Sequence, residues 1–185
     1  MATLNMQTKL AAVYDSLKDT FAYTNVMQAP RIEKVIVSTG TGKIDDKNKI
    51  ALIQDRLAQI TGQKASPRAA RMSIATFKLR EGDIVGYQVT LRGERMRTFL
   101  DKLIDVALPQ TRDFRGLNAT AIDEMGNITL GLKDHTIFPE TVNEDIKDVF
   151  GLAITIVTTA KTPAEAEALL RHIGLPLKKA ETETK

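Results

Sequence analysis

Four segments of this chain alternate apolar and polar side chains with the period of two that a β-strand imposes. They lie at residues 32–39, 87–92, 128–132 and 152–158, and most of their apolar positions hold β-branched residues or leucine. Because successive side chains of a strand point to opposite faces, each segment predicts a strand with one buried and one exposed side. The chain must therefore build a sheet whose second face is left to solvent or to a partner.

Stretches with apolar residues three or four positions apart separate these strands, which predicts amphipathic helices. The first helix carries its apolar residues at Leu4, Leu10, Val13, Leu17 and Phe21. A second helix is expected to begin at a cap formed by Asp45 or Asp46 and to end at Gly62. A third should be closed by Pro109, since proline disrupts a helix interior.

The last helix has the clearest local signal. Thr162 and Glu165 form a capping box, Pro163 occupies the first helical position, and Gly174 ends the helix. The polar residues that follow, 179–185, are predicted to be a disordered tail. Residues 1–178 are expected to form a single domain that begins with the N-terminal helix.

The order of elements predicts an α+β fold. Residues 63–86 contain Pro67 and are too polar for a central strand, so they predict an edge strand and a long loop, while Met125-Gly126-Asn127 predicts a hairpin turn. Hairpin connections favour a mostly antiparallel sheet with helices packed on one face and the other face open. An open sheet face is a platform for a ligand.

Composition excludes several functions. The 185 residues include no cysteine, so disulfides, thiolate metal sites and cysteine nucleophiles are ruled out. No apolar run approaches the roughly 20 residues that cross a bilayer. The amphipathic N-terminal stretch carries Asp15 and Asp19, which is unlike a secretion signal. The sequence predicts a cytoplasmic protein with no membrane partner.

Charge is distributed unevenly along the chain. Residues 62–103 hold nine Lys and Arg against four Asp and Glu, whereas residues 119–170 hold three against nine. A basic stretch of this kind favours a partner with dense negative charge, and nucleic acid is the commonest. Ordinary solvated faces that happen to segregate by sign are the alternative explanation.

The exposed side of the predicted strands is polar and basic. Its outward positions on strands 32–39 and 87–92 are Lys34, Ile36, Ser38, Gln88, Thr90 and Arg92. Cations suit phosphates, and hydroxyls and amides suit the 2′-hydroxyls in the wide minor groove of duplex RNA. Base stacking is not expected to dominate, because the chain has only six Phe, three Tyr and no Trp. Solvent-facing strand residues without a ligand are the alternative.

A basic loop follows the predicted edge strand. It carries Arg68, Arg71, Lys78 and Arg80 with few apolar neighbours to bury them. A long flexible loop of this kind can reach a second polyanion, or it can be a mobile solvated loop with no ligand.

Catalytic motifs are weak. The glycines of TGTGK at 39–43 lie too close together for a phosphate-binding loop, and Ile44 stands where Ser or Thr is required. His135 and His172 have no partner at metal-ligand spacing, and His172 suits the last turn of a helix. Asp134, His135 and Glu140 could serve as acid and base, but no nucleophile motif accompanies them. No cofactor and no metal is expected.

An ordered series of motifs resembles one protein family. The segments are MQAPRIEKV (27–35), GQK (62–64), VTLRGERM (89–96), RDFRGL (112–117), IFPE (137–140) and GLAITIVTTAK (151–161). Together they are similar to the bacterial large-subunit ribosomal protein five family, in the family's order and over nearly the whole chain. The resemblance implies an RNA-binding α+β domain and no enzymatic activity.

The resemblance also implies partners and site residues. It implies that the sheet binds 5S rRNA and joins it to 23S rRNA and its neighbouring proteins in the central protuberance. Together with the outward strand positions it gives a 5S rRNA-binding set of Lys34, Ser38, Gln63, Lys64, Thr90 and Arg92. The family usually has Asn where this chain has Ser38, so an amide donor is missing there.

Two further contacts are implied. The basic loop would touch P-site tRNA through Arg71, Met72, Ser73, Thr76, Lys78 and Arg80. An exposed surface, either RDFRGL or residues 137–148, would bridge to small-subunit ribosomal protein thirteen. A free RNA chaperone or ribosome assembly factor remains the alternative among binding functions, and a small hydrolase remains the alternative among enzymes.

Overall fold

The computed structural model describes residues 5–42, 44, 46–112, 114–142 and 148–178. Its helices are α1 Met6–Ala11, α2 Val13–Phe21, α3 Lys47–Thr61, α4 Gly93–Lys102, α5 Leu108–Gln110 and α6 Pro163–His172. Its strands are β1 Ile32–Gly40, β2 Ser66–Ala69, β3 Ile84–Leu91, β4 Ile128–Leu132 and β5 Leu152–Thr158. The predicted α+β class and order of elements are confirmed. The predicted disordered tail, 179–185, lies outside the described residues.

The five strands form one sheet in the order β2-β3-β1-β5-β4. The predicted mostly antiparallel arrangement is confirmed. The predicted edge strand is β2, which pairs antiparallel with β3 in a register that sets Ser66 opposite Gln88 and Arg68 opposite Gly86. β3 begins at Ile84, three residues before the alternating segment in the sequence.

Burial follows the predicted alternation in the central strands. Val35 and Val37 of β1 are fully buried, and so are Ile154 and Ile156 of β5, while the residues between them are partly exposed. β3 alternates in the same way over its last four residues. β-branched side chains suit such half-buried positions because their restricted rotamers pack well on a pleated surface.

Contacts group the chain into two compact units. The first comprises Met1–Val35, Arg92–Leu130 and Thr155–Lys185. Within it α1 packs on α2 and α4, and α2 packs on α6. The Met6 N–H donates to Asp101 at 3.0 Å, and His172 Nε2 lies 2.9 Å from the Lys9 carbonyl oxygen, which can only accept. His172 therefore ties α6 to α1, and its role is structural.

The second unit comprises Ile36–Leu91 and Gly131–Ile154. Within it α3 packs against β3, with Ile53, Leu57 and Ile60 buried as the helical spacing predicts. The Asp46 carboxylate accepts from the Asn48 N–H and caps the helix, and Gly62 ends it in the left-handed conformation. The sequence left Asp45 and Asp46 as alternative caps. The expectation of a single domain over residues 1–178 stays a prediction.

Two helix predictions need correction. The N-terminal helix is interrupted at Ala12, and its second part ends at Phe21, the last residue of the predicted apolar stripe, where Ala22 adopts a left-handed conformation (φ 52°). Pro109 does not close the third helix, since the chain stays helical to Gln110. A π-helical segment, Leu103–Ala107, precedes it, and the Leu108 N–H donates to Leu103 five residues back. This departure from the regular ladder accommodates the proline ring and its missing N–H.

The hairpin turn and the last helix are confirmed. Gly126 has φ 76° in the turn before β4, and the Asn127 N–H donates to Asp123 at 2.6 Å. That hydrogen bond, followed by one from the Asn127 amide, holds the pKa of Asp123 below its usual value. At α6 the Thr162 hydroxyl accepts from the Glu165 N–H, although the Glu165 carboxylate accepts from Lys161 N–H rather than from Thr162.

Among the described residues, no helix has both the length and the apolar character needed to span a membrane.

Candidate nucleic-acid interface

The outward positions of β1 and β3 have the burial that the sequence predicts. Lys34 and Ser38 on β1 and Gln88 and Thr90 on β3 are all partly exposed, between neighbours that are mostly buried. Partial exposure keeps their hydroxyl, amide and ammonium groups available while the strand backbone fixes their positions. Ile36 shares this outward position on β1, so the row is not wholly polar.

Lys34 and Arg92 share one carboxylate. Lys34 Nζ and Arg92 Nη1 each lie 3.7 Å from the same oxygen of Glu33. The Arg92 side chain is 58% exposed and the Lys34 side chain 27%, so solvent screens both pairs and each contributes little to stability. Two cations against one anion leave a local surplus of positive charge, which can bind a phosphate.

Arg92 lies between two elements. It follows the last residue of β3 and is the extended residue directly before α4, with φ −139°. Its side chain is largely exposed, so it is accessible to a ligand. Gln63 and Lys64 lie in the turn after α3, just beyond the Gly62 cap. Gln63 is partly exposed and Lys64 is exposed. The Thr61 hydroxyl donates to the Leu57 and Gln63 carbonyls and stabilises that turn.

The structure corrects the position of Arg68. The sequence assigns it to the basic loop, but it lies on β2, and its Nε donates to the Gln88 side-chain oxygen at 2.8 Å. The pair adds a fixed cation and an oriented amide beside Thr90. Strand periodicity could not predict this contact, because β2 is exposed along its whole length and its register with β3 is not visible in the sequence.

Backbone hydrogen bonds cross the loop between β2 and β3. We call residues 70–83 the extension. At its base the Ala70 N–H donates to the Asp83 carbonyl, and the Gly82 N–H donates to the Ala70 carbonyl. Further out, Ile74 and Leu79 exchange backbone hydrogen bonds at 3.0 and 3.2 Å around a short 3-10 helix, Ala75–Phe77. The extension is therefore a hydrogen-bonded projection with a defined end.

The predicted tRNA-contacting residues occupy different places in the extension. Arg71, Met72, Thr76, Lys78 and Arg80 are all exposed. Ser73 is exposed as well, but its hydroxyl oxygen already accepts from the Glu81 N–H, which gives it a structural part. Phe77, which was not among the predicted contact residues, is 69% exposed. The signal in the sequence that could have identified Phe77 is that this residue fits neither the helical nor the strand period of apolar residues.

The two candidate bridging segments are described in part. In RDFRGL the Leu117 N–H donates to the Pro176 carbonyl and the Lys178 N–H donates to the Leu117 carbonyl, so this segment pairs with the end of the described chain. Asp113 lies outside the described residues, as do residues 143–147 of the second segment. Val142, the last described residue before this gap, is 54% exposed.

The candidate catalytic residues differ in burial. His135 is fully buried, stacks on Phe150 with ring centroids 4.0 Å apart, and accepts the Phe150 N–H at Nδ1. Asp134 and Glu140 are exposed. His135 is therefore part of the core. Its burial does not support the hydrolase alternative, in which it would have to reach a substrate.

The described residues also give no support to a phosphate-binding loop at TGTGK or to a metal site. In TGTGK, the Thr41 N–H donates to the Val85 carbonyl and is not available to a phosphate. Lys43 lies outside the described residues. Among the residues that the structure describes, no group of three or more His, Asp or Glu side chains is placed to hold a metal ion.

Comparison with known proteins supports the resemblance. A family model described as ribosomal protein L5 matches residues 25–80, and a second, for the C-terminus of the ribosomal L5 protein family, matches residues 84–177. A protein of Flavobacterium johnsoniae is 49% identical over 168 residues, covering 90% of this chain and 92% of the relative. One of Natranaerobius thermophilus is 50% identical over 165 residues, covering 89% and 92%. Both relatives carry the name large ribosomal subunit protein uL5.

Proposed function

Because the chain belongs to the ribosomal protein L5 family, we propose that it fastens 5S rRNA into the central protuberance of the large ribosomal subunit. Its place is then the large subunit of the ribosome in the cytoplasm, and its role is that of a structural constituent. Members of this family are ribosomal structural proteins and not enzymes.

The observation that carries the proposal is the Lys34, Glu33 and Arg92 cluster at the ends of β1 and β3. The cations that share Glu33 approach phosphates, while Ser38, Thr90 and the Arg68-Gln88 pair offer donors and acceptors along the same two strands and β2. Side chains of these kinds suit the minor groove of an RNA helix, where 2′-hydroxyls and phosphates are displayed and the groove shape is read. Gln63 and Lys64 add further contacts beyond α3.

Other partners follow from the same family membership. We infer that the protein lies against 23S rRNA and the neighbouring proteins of the central protuberance. The extension contacts P-site tRNA through Arg71, Lys78 and Arg80, supported by Met72, Ser73 and Thr76. A surface that includes RDFRGL or residues 137–148 bridges to small-subunit ribosomal protein thirteen. The net positive charge of residues 62–103 supports the two RNA contacts.

A gel shift with purified 5S rRNA tests the proposal. The full chain should form one saturable one-to-one complex whose affinity falls as salt is raised, because bound cations release counterions from the RNA. An unrelated RNA hairpin of equal length should not compete at equal mass. A shift that the unrelated hairpin abolishes would show general polyanion binding and would contradict the proposal.

Sedimentation separates a structural protein from a free chaperone or assembly factor. A structural constituent stays with mature large subunits in stoichiometric amount after a high-salt wash. A chaperone or assembly factor would be found with precursors or free in the supernatant.

A further inference from the structure

The end of the extension exposes large apolar side chains. Met72, Ile74 and Phe77 are 70%, 40% and 69% exposed. We call these three residues the apolar tip. Of the eight large hydrophobic residues that are exposed in the described chain, three lie within this stretch of 14 residues. Single exposed hydrophobics are ordinary, but a group on one projection marks a contact surface.

The backbone holds the apolar tip in one conformation. The Phe77 N–H donates to the Ile74 carbonyl, and the Lys78 N–H donates to the Ala75 carbonyl. Lys78 adopts the left-handed region with φ 52° and ψ 33°, which a residue with a Cβ seldom does outside a constrained turn. Phe77 is thus presented before any ligand arrives, and binding does not have to order the loop.

Cations flank the apolar tip. Arg71, Lys78 and Arg80 make no ion pair and no side-chain hydrogen bond with the part of the chain that the structure describes. The Asp83 carboxylate, three residues along, accepts the backbone N–H of Arg80 at 2.8 Å. An aromatic ring beside unpaired cations matches a ligand that has both an apolar face and phosphates.

We propose that Phe77, supported by Met72 and Ile74, stacks on an exposed nucleobase of the RNA that the extension contacts. This inference rests on the proposed contact with tRNA and names a residue and an interaction within it. The ligand surface is a base face that no neighbouring base covers, since bases inside a regular duplex are already stacked on both sides. The ring supplies dispersion and apolar burial, and Lys78 and Arg80 bind the phosphates beside it.

An apolar protein surface is the competing occupant, and the charges oppose it. A protein patch that covered Phe77 would also have to neutralise or desolvate Arg71, Lys78 and Arg80. A nucleobase brings its own phosphate within reach of these side chains.

The test uses ribosomes that contain each variant as their only copy of this protein. Binding of deacylated tRNA to the P site is measured by filter retention over a salt series. Phe77→Ala should weaken tRNA binding by about fivefold to a hundredfold without changing the salt slope, because stacking releases no counterions. Phe77→Trp should bind tRNA at least as tightly as the wild type, and Phe77→Leu should resemble Phe77→Ala.

Lys78→Ala separates this inference from the proposed function. If Lys78→Ala lowers both affinity and salt slope while Phe77→Ala has no effect, the tRNA contact stands and stacking is wrong. If neither variant changes tRNA binding, the contact itself is wrong and stacking falls with it. Full binding by Phe77→Leu would also overturn stacking, since leucine keeps the apolar contact without a ring. Equal melting temperatures of the free variants and equal 5S rRNA content of the ribosomes exclude misfolding as the cause.

Discussion

At the scale of single residues, Arg92 is the cation most available to RNA in the Glu33 cluster. Its side chain is 58% exposed, and its contact with the Glu33 carboxylate is a weak surface pair at 3.7 Å. Arg92→Ala should weaken 5S rRNA binding by about 1 to 3 kcal/mol and reduce the salt slope by about one. Arg95→Ala, which removes an exposed arginine three positions along, is the control. Equal losses in both variants would mean that only general charge matters.

Removing the charge of Glu33 should strengthen 5S rRNA binding, whereas removing Arg92 should weaken it. Its carboxylate lies 3.7 Å from the cationic groups of both Lys34 and Arg92, so it competes with any phosphate that approaches them. Glu33→Gln keeps the size of the side chain and removes its charge. Binding of 5S rRNA should tighten by a few tenths to about 1 kcal/mol, with a steeper salt slope. Weaker binding in the gel shift would show that Glu33 positions the two cations for the RNA.

Tyr23 makes the free energy of unfolding depend on pH in the alkaline range. Burial, followed by the nearby Glu165 carboxylate, raises the pKa of Tyr23 to about 12. Because the folded pKa exceeds the unfolded value near 10, the stabilisation is complete below pH 10 and is lost as pH rises towards 12.

Urea denaturation between pH 8 and 12 measures this effect. The free energy of unfolding of the wild type should fall more steeply above pH 10 than that of Tyr23→Phe, which cannot ionise there. Comparing the two proteins cancels the contribution of every other ionisable group, because both proteins share those groups. Parallel curves for the two proteins would contradict the raised pKa.

At the scale of elements, β1 and β3 approach each other closely at Gly86. A Cβ on Gly86 would lie 2.6 Å from the Thr39 carbonyl oxygen, which is a backbone atom with little freedom to move. Gly86→Ala should therefore destabilise the protein by at least about 3 kcal/mol, at the upper end of overpacking effects. Gly131→Ala on β4 is the matched control, because nothing lies within 4 Å of its Cβ position and its stability should change by less than about 1 kcal/mol. Equal melting temperatures for the two variants would refute the close approach.

The sequence predicted the elements that depend on local rules. Period-two burial in β1 and β5, the Gly62 and Gly174 helix ends and the Gly126 turn all follow from side-chain alternation or from glycine's access to positive φ. The strand positions of Lys34, Ser38 and Thr90 followed from the same alternation, whereas Arg92 lies just beyond the end of β3. Local rules were sufficient wherever neighbours in sequence determined the outcome.

The sequence did not predict features set by distant contacts. The π-helical turn before Pro109, the Arg68-Gln88 pair and the shared position of Lys34 and Arg92 on Glu33 each depend on register or tertiary packing. The ordered extension was missed because its hydrogen bonds join residues such as Ile74 and Leu79 that carry no turn signature. Phe77 was missed for the same reason, since only a defined backbone shows that its ring is exposed.

At the scale of the whole molecule, the basic charge of residues 62–103 is divided between two structures. Arg68 and Arg92 are at the strands, whereas Arg71, Lys78 and Arg80 are on the extension, which β2 and β3 carry as a separate hydrogen-bonded projection. This division predicts that the two RNA contacts can be lost independently. Changing charge on the extension should leave the strand residues and their geometry as they are.

The double variant Lys78→Glu with Arg80→Glu tests this independence. Its free chain should bind 5S rRNA within about threefold of a control that reverses the same number of charges elsewhere, Lys47→Glu with Lys133→Glu, because only long-range charge changes in both. Ribosomes that contain the extension variant should bind P-site tRNA more weakly than ribosomes that contain the control. If the extension variant lost 5S rRNA binding while the control kept it, the extension would belong to the 5S interface, and the strands alone could not account for recognition.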